Sequence, residues 1–284
     1  MQVRRSVLYM PAANARALEK AQSLDCDAVI FDLEDAVAPD SKELAREQAC
    51  AAVTSGLYGH RELTIRCNGL DTPWGEDDLA AAAAAAPSAV VIPKVSSVGH
   101  VDGVAERLDA AGAASSTMIW AMIETPDGMM NADAIAAHPR VEVLVMGTND
   151  MAKELRAQLV PGRAPLLPHL AMALLAARRH GIMALDGVYN DVRNPEGFAE
   201  EAQQGFEMGF DGKTLIHPSQ LEPCNDIWSP SADEIDHANR VIEAFEEAER
   251  DGRGVVTVDG RMIENLHVDN ARQVLAVAAA IAAR

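Results

Sequence analysis

The chain has 284 residues, of which 49% are hydrophobic, enough for one large α/β barrel or two ordinary domains. Its 43 acidic residues outnumber its 24 basic ones, and a net charge of −19 excludes nucleic acids and anionic membranes as expected partners. The four cysteines lack the CxxC spacing of a zinc knuckle or redox pair. The N-terminus lacks the apolar stretch of a signal peptide, and no window reaches the ~20 apolar residues of a membrane-spanning helix, so we expect a cytoplasmic protein.

Short apolar, β-branched runs recur along the chain, each followed by a stretch with helical spacing. Such runs without polar alternation are typical of parallel strands that are covered on both faces. Repeated strand–helix alternation favours a (β/α)8 TIM barrel over an open sheet, and no GxGxxG follows the first run. The eight predicted strands are Ser6–Met10, Ala28–Leu33, Leu63–Cys67, Ala89–Val95, Met118–Ile123, Val141–Met146, Met183–Val188 and Lys213–Ile216. The clearest predicted helices between them are Ala15–Leu24, Lys42–Val53, Ala80–Ala86 and Pro168–Arg179.

A long segment follows the eighth predicted strand. We expect a barrel domain at residues 1–228 and a C-terminal extension at 229–284 that packs over a barrel mouth, that of a neighbouring subunit. The expected extension consists of a polar helix at Ser231–Arg250, a break at Asp251–Gly254, a strand at Val255–Val258 and a final helix at His267–Ala283.

Polar residues stand at the carboxyl ends of seven of the predicted strands. In a (β/α)8 barrel these ends meet at one mouth, where active sites lie. One charged residue there is common at the start of a solvated loop, but a set from seven strands indicates a functional site. The residues are Asp32 to Asp35, Arg66 to Asn68, Lys94, Glu124, Asn149 with Asp150, Asp186 and His217.

Glu124 and Asp150 end the adjacent fifth and sixth strands. Because neighbouring strands lie about 4.8 Å apart, both carboxylates can reach one ion. Two carboxylates completed by waters and substrate oxygens are the usual ligands of Mg²⁺, and the lack of nearby His or Cys disfavours zinc. The alternative is that either acid forms a structural ion pair with Lys94 or Arg66.

Arg66 lies in an apolar strand, where a guanidinium is costly to bury unless it is paired. We expect it to bind an anion; the alternative is a structural pair with Glu34 or Asp35. Those two acids are expected to orient Arg66 and waters at the metal. Substrate binding and a structural role both remain open for Lys94, which could pair with Asp35 or Glu124. The same holds for His217, which could fix its loop.

Seven ordered motifs resemble the citrate lyase β-subunit-like family, which includes malyl-CoA lyases and related CoA ester lyases. The resemblance spans nearly the whole chain and includes the tail around Asp259 to Ile263. The motifs are RSVLYMP from Arg5, IFDLEDAVAP from Ile30, RCNGLDTPW from Arg66, PKV from Pro93, IETP from Ile123, GTND from Gly147 and GFDGK from Gly209 through IHP at Ile216.

The resemblance implies a barrel enzyme with Mg²⁺ held by Glu124 and Asp150, with Mn²⁺ as an alternative ion. It implies that Arg66 contacts the acyl group and carboxylate of an acyl-CoA, and that the protein is a trimer or hexamer in which one tail closes the next subunit's site. We count Asp35 with Arg66 as catalytic. The substrate or CoA site is expected to include Tyr9, Lys20, Lys94, Asn149, Ile216 and His217.

Two positions depart from the family pattern: Ala12 replaces a glycine after the first strand, and Glu264 replaces an aspartate of the tail.

Our leading expectation is a lyase that cleaves or forms a C–C bond in a malyl-CoA-like ester, giving acetyl- or propionyl-CoA and the 2-oxoacid glyoxylate. Mg²⁺ would act as the Lewis acid, Arg66 would stabilise the enolate, and Glu264 of a neighbouring subunit would move the proton.

Three other functions remain open. Since Glu264 carries its carboxylate farther than aspartate, it could aim a water at the thioester, which would make the protein a (3S)-malyl-CoA-type thioesterase. A CoA-free class II aldolase would not need the tail. A non-catalytic or acyl-carrier-dependent citrate lyase β-like subunit would not need an intact metal site.

Overall fold

A computed structural model of the chain describes residues 2–250 and 256–284. Eight parallel strands close into a barrel in chain order, which confirms the predicted fold class. Their bounds are β1 Ser6–Pro11, β2 Ala28–Asp32, β3 Glu62–Arg66, β4 Ala89–Ile92, β5 Met118–Ile123, β6 Val141–Met146, β7 Met183–Asp186 and β8 Gly212–Leu215.

Helices follow the strands around the barrel. Polar side chains begin several of them: Asn14 accepts the backbone N–H of Ala17 at the start of the first helix, and Ser97 accepts that of His100 at the start of the fourth. The helices of this part of the chain are α1 Ala15–Ala21, α2 Lys42–Thr54, α3 Gly75–Ala85, α4 Val98–Ala110, α5 Pro126–Met130, α6 Ala132–Ala136, α7 Thr148–Leu155, α8 Leu167–His180, α9 Pro195–Met208 and α10 Leu221–Ile227. Short 3-10 turns lie at Pro39–Ser41, Pro161–Arg163 and Pro218–Gln220.

The barrel interior is filled by apolar side chains from alternate strand positions. Burying each of the larger ones contributes about 1.5–3 kcal/mol. These residues include Val7, Ile30, Val91, Trp120, Val143 and Leu185. The register also aligns the polar strand ends, because Asp32 of β2 lies beside Arg66 of β3.

Two strands, β4 and β7, end at least two residues earlier than the apolar runs predict. β4 stops at Ile92, before Pro93, which has no backbone N–H to donate to a ladder. β7 stops at Asp186, whose side chain accepts the N–H of Gly187 at 2.8 Å. Each early end turns the following residues into the loops at the mouth.

The chain divides into two compact units, a barrel unit of Arg4–Asn225 and a second unit of Met1–Val3 with Asp226–Arg284. The second unit contains α11 Ala232–Arg250, the antiparallel strands β9 Val256–Val258 and β10 Arg261–Ile263, and α12 Asn265–Ala282. Its own apolar cluster includes Val241, Val258, Ile263 and Val268. The expected break at Asp251–Gly254 and the expected strand residue Val255 lie outside the described residues. Among the described helices, none combines the length and apolar character needed to cross a bilayer.

Candidate active site

The carboxyl ends of the barrel strands surround a cavity of about 310 Å³. We call it the main cavity. It brings together seven of the residues expected to bind substrate or metal or to act in catalysis, together with Asp32, which was expected only as a polar strand end. The lining includes Tyr9, Asp32, Asp35, Arg66, Glu124, Asn149, Asp150 and Ile216.

Glu124 follows β5 and is only 3% exposed. Its Oε1 accepts the backbone N–H of Lys94 at 2.7 Å, which fixes the carboxylate in the main cavity. Gly147 makes room for the other side, because a β-carbon there would overlap Glu124 Oε2 and Cβ. Burial raises the pKa of Glu124 to about 7, and the nearby Asp150 and Glu34 carboxylates add to the effect. The buried carboxylate therefore lies where a cation would be favoured.

Asp150 lies in the first turn of α7 and faces the same cavity as Glu124. No group of three or more His, Cys, Asp or Glu side chains in the described ranges is arranged to hold a metal. Two carboxylates with open space beside them nevertheless fit Mg²⁺, which usually keeps several waters and takes only one or two protein carboxylates. Glu124 and Asp150 are thus the pair that could hold it.

Arg66 is fixed by two acids and one ring. Its Nε and Nη2 donate to the two oxygens of Asp32 at 2.7 and 2.6 Å. Nη1 lies 2.9 Å from Glu34 and 3.8 Å from Asp35, and the guanidinium lies 4.8 Å from the centre of the Tyr9 ring. Arg66 therefore has structural partners and also lines the main cavity. The sequence reasoning weighed Glu34 and Asp35 but missed Asp32 as the principal partner.

Lys94 is exposed and has a left-handed backbone conformation, with φ of 51°. Its ammonium faces several carboxylates; desolvation alone would lower its pKa, but Asp150, Glu34 and Glu124 outweigh this and raise it. The side chain is not part of the lining of the main cavity. The backbone of Lys94 thus positions Glu124, while its charge acts on the acids around the mouth.

Three other expected site residues lie outside the lining of the main cavity. Lys20 is exposed in the last turn of α1. His217 caps the turn that follows it, accepting the N–H of Ser219 at 3.2 Å, which is the loop-fixing alternative. Glu264 belongs to the second unit, where it caps α12 and its N–H donates to His267 Nδ1 at 3.0 Å.

Asn149 forms a reciprocal amide pair with Asn190 of the loop after β7. Asn149 Nδ2 donates to Asn190 Oδ1 at 3.1 Å, and Asn190 Nδ2 donates to Asn149 Oδ1 at 2.7 Å. Asn190 also lines the main cavity. The sequence did not single out Asn190, because it lies four residues past the end of β7. Its one signal was its place in a loop that follows a barrel strand, where active-site residues are common.

Comparison with known proteins identifies the family of the chain. Residues 5–218 match the model of the HpcH/HpaI aldolase/citrate lyase family. The chain is 53% identical to a (3S)-malyl-CoA thioesterase of Cereibacter sphaeroides over 98% of this chain and 96% of that one. It is 38% identical to citrate lyase subunit beta of Escherichia coli over 96% and 92% of the two chains.

A similar solved structure is that of CitE from Mycobacterium tuberculosis in complex with magnesium, acetoacetate and coenzyme A. It has a TM-score of 0.80 and 29% identity, with 98% of each chain covered. Its magnesium agrees with the metal that the sequence led us to expect. The chain belongs to the HpcH/HpaI aldolase/citrate lyase family, as the resemblance indicated.

Proposed function

We propose that this protein is a Mg²⁺-dependent thioesterase that hydrolyses a malyl-CoA-like ester to the free hydroxy diacid and CoA. The observation that carries the proposal is the 53% identity to a (3S)-malyl-CoA thioesterase over 98% of this chain. This makes the hydrolase, rather than the C–C lyase that we first expected, the better-supported function.

The charges around the main cavity support a metal-assisted reaction on an anion. Carboxylates outnumber cations there, so an anionic ester would be repelled unless a divalent cation were bound. A Mg²⁺ ion held by Glu124 and Asp150 would supply a Lewis acid that attracts substrate oxygens and offsets this charge. The acids concerned are Asp32, Glu34, Asp35, Glu124 and Asp150, and the cations are Arg66 and Lys94.

Arg66 would bind the negatively charged part of the substrate. Asp32 accepts hydrogen bonds from two of its nitrogens. The other, Nη1, pairs with Glu34 and lies 4.0 Å from the sulfur of Met122 in the cavity wall. A guanidinium fixed in this way is oriented before the substrate arrives, so little entropy is lost on binding. We assign to Arg66 the stabilisation of the negative charge that develops on the thioester oxygen. Asp35, which is exposed beside it, would help to orient a water.

Hydrolysis breaks the C–S bond, adds the water oxygen to the acyl carbon and returns a proton to the sulfur. We assign the activation of this water to Glu264 of a neighbouring subunit, within a homotrimer or homohexamer. Its longer side chain, where the family pattern has aspartate, favours a water over a substrate carbon as the target. This proposal gives the C-terminal extension a catalytic role.

The second candidate is C–C bond cleavage to acetyl- or propionyl-CoA and glyoxylate. It is favoured by the 38% identity to a citrate lyase subunit beta, which covers 92% of that protein. The same relative supports an acyl-carrier-dependent subunit that has no activity alone.

Product analysis separates these functions. The purified full-length protein is incubated with (3S)-malyl-CoA and Mg²⁺, and the products are resolved by liquid chromatography and mass spectrometry. Free CoA with malate in equal amounts is expected. Acetyl-CoA with glyoxylate would assign the lyase reaction, and unchanged ester would contradict both activities of the isolated chain.

Matched variants identify the site responsible. Glu124→Gln should abolish the Mg²⁺-dependent product. Glu142→Gln should retain it, because Glu142 lies near the start of β6, where it pairs with Arg4, and does not line the main cavity. Equal activity in both variants would contradict the proposed metal site.

A further inference from the structure

A second cavity of about 420 Å³ adjoins the main cavity. The two share four lining residues: Thr148, Asn149, Val188 and Asn190. Both cavities lie in the barrel unit. The shared residues therefore form the wall between the site of chemistry and an adjoining space.

One of these wall residues, Thr148, is fixed by packing, and so is the loop that carries two others. Thr148 is buried, and Gly187 beside it has no room for a β-carbon, which would lie 2.5 Å from Thr148 Oγ1. The loop after β7 is also held, because Gln220 Nε2 donates to the carbonyl of Tyr189 at 3.0 Å. The Tyr189 ring packs edge-on against Phe198, with the ring centres 6.0 Å apart. The backbone on both sides of the wall is thus anchored.

The Asn149 and Asn190 side chains form the adjustable part of the wall. Both are exposed, and the two hydrogen bonds of 3.1 and 2.7 Å hold them to each other. Water can replace such bonds at little net cost, because exposed amides are well solvated. A rotation of the Asn190 side chain would break both hydrogen bonds without moving the backbone.

The chemistry of the second cavity selects what could enter it. Leu159, Val160 and Pro161 supply apolar surface, and Asp191 and Glu200 add carboxylates. The Arg163 guanidinium is already held by Asp186, at 2.7 and 2.9 Å. An anionic group would be repelled, whereas an uncharged alkyl group would be accepted.

We propose that the Asn149–Asn190 amide pair determines which acyl groups the protein accepts, by closing off a second subsite for an uncharged alkyl branch. With the pair closed, the acyl carbon next to the thioester can carry only hydrogen or a small substituent. With the pair opened, a longer alkyl branch at this carbon extends into the second cavity. The inference rests on the proposed acyl-CoA substrate and adds a specificity residue, Asn190, to it.

The test compares malyl-CoA with its 2-methyl and 2-butyl derivatives in wild type and Asn190→Ala. The readout is the ratio of kcat/KM for the butyl ester to that for malyl-CoA, with all CoA-containing products counted. We expect the ratio to rise by about tenfold or more in Asn190→Ala, since each methylene accommodated in a pocket changes kcat/KM by roughly 10- to 200-fold. An unchanged ratio would overturn the inference.

Two controls make the result specific. Asn194→Ala removes another amide of the second cavity, one that does not line the main cavity, so its ratio should stay near that of wild type. Adding Val160→Trp to Asn190→Ala should cancel the gain, because Val160 lines only the second cavity. A gain that survives Val160→Trp would show that the branch binds elsewhere and would contradict the subsite.

Folding and function are controlled separately. If Asn190→Ala does not fold, as judged by circular dichroism, Asn190→Ser serves as the second opening variant with the same expected rise. Turnover of malyl-CoA with an unchanged ratio overturns only the subsite. Failure of wild type to consume any ester of the panel overturns the proposed function and the subsite together.

Discussion

The guanidinium of Arg66 is held by Asp32, Glu34 and the Tyr9 ring at once. Only the planar fork of arginine can make the paired hydrogen bonds to Asp32, because lysine offers a point charge. Arg66→Lys should therefore keep the charge but misplace it, and a misplacement of about 1 Å costs roughly 100-fold in a positioned reaction. Steady-state kcat/KM for malyl-CoA is the measurement.

Arg46→Lys is the matched control for Arg66→Lys. Arg46 also donates to an aspartate, Asp78, at 2.7 Å, but it lies on α2 outside the main cavity. The Arg46→Lys variant should be less stable than wild type but should not lose kcat/KM to a comparable extent. Similar losses in the two variants would mean that Arg66 acts through folding and not at the substrate.

Gly147 gives a test of the space around the metal ligands. A β-carbon at this position would collide with Glu124, so Gly147→Ala should push the carboxylate out of place and weaken Mg²⁺ binding by about tenfold or more. Isothermal titration with Mg²⁺ measures the affinity directly.

Gly103→Ala is the control for Gly147→Ala. Its β-carbon would have an ordinary contact of 3.5 Å with Arg107 inside α4, so it should stabilise the helix by about 0.5–1 kcal/mol and leave Mg²⁺ binding unchanged. Unaltered Mg²⁺ affinity in Gly147→Ala would contradict the expected displacement of the Glu124 carboxylate by the added β-carbon.

The acids and Arg66 around the main cavity were predictable at the residue scale because each stands at the end of a strand or within a few residues after it. Asp32 as the partner of Arg66 was also within reach, since parallel strands in register place these two residues side by side. Asn190 was not, because its place on the cavity depends on a loop conformation that no periodicity encodes. Lys20 was chosen by resemblance alone and His217 also as a polar strand end, and neither lines the main cavity.

At the scale of elements, a buried ionic network ties β7 and β8 to the helix layer. Asp186 accepts from Arg163 and from Lys213 Nζ, and Lys213 also donates to Glu201 at 2.9 Å. Both Asp186 and Lys213 are fully buried. Asp186 was counted from the sequence among the polar strand ends, but it belongs to this network and does not line the main cavity.

Asp186→Asn tests this network. Removing one member of a buried ionic set costs about 3–5 kcal/mol, so the free energy of unfolding at pH 7 should fall by that amount. Asp133→Asn is the control, because Asp133 forms an exposed pair with Arg179 that is worth about 1 kcal/mol or less. Urea unfolding followed by circular dichroism measures both.

The pH dependence of the same variant has a defined sign. Burial alone would raise the pKa of Asp186, but Lys213 and Arg163 outweigh it and lower the pKa below its usual value. An unfolded aspartate titrates near about 3.9, so the stabilisation is complete above that pH and is lost as the pH falls through the lower folded-state pKa. Asp186→Asn should therefore show a shallower loss of stability in acid than wild type; an identical slope would contradict the assignment.

All eight strands were predictable because a parallel barrel buries both faces of each strand, which leaves an uninterrupted apolar run. Their ends were less predictable. Val95 and Val188 extend the apolar runs, but Pro93 and Gly187 have already ended the ladders. Element identity thus follows from burial, and element length from local backbone chemistry.

For the whole molecule, we propose that the C-terminal extension completes the site of a neighbouring subunit. Sequence patterning predicted its helices, but the position of one unit on another subunit depends on surface complementarity that no local pattern encodes. Light scattering of the purified protein should give a mass of three or six times the 30.3 kDa chain. A monomer would contradict the assignment of Glu264 to a neighbouring site.

Subunit mixing tests that assignment directly. Glu264→Ala and Glu124→Gln proteins should each be inactive, yet co-expression should restore activity, because one subunit supplies the acid and its neighbour the metal site. Activity no greater than the sum of the separate variants would mean that each chain uses its own Glu264.

The central claim is that one divalent cation lies between Glu124 and Asp150. Its most direct test is a crystal of the full-length protein soaked with Mn²⁺, which takes the same oxygen ligands as Mg²⁺ and scatters anomalously. We predict an anomalous peak at coordination distance from one oxygen of each carboxylate, and none in Glu124→Gln. A peak elsewhere, or an ion bound by neither acid, would contradict the account.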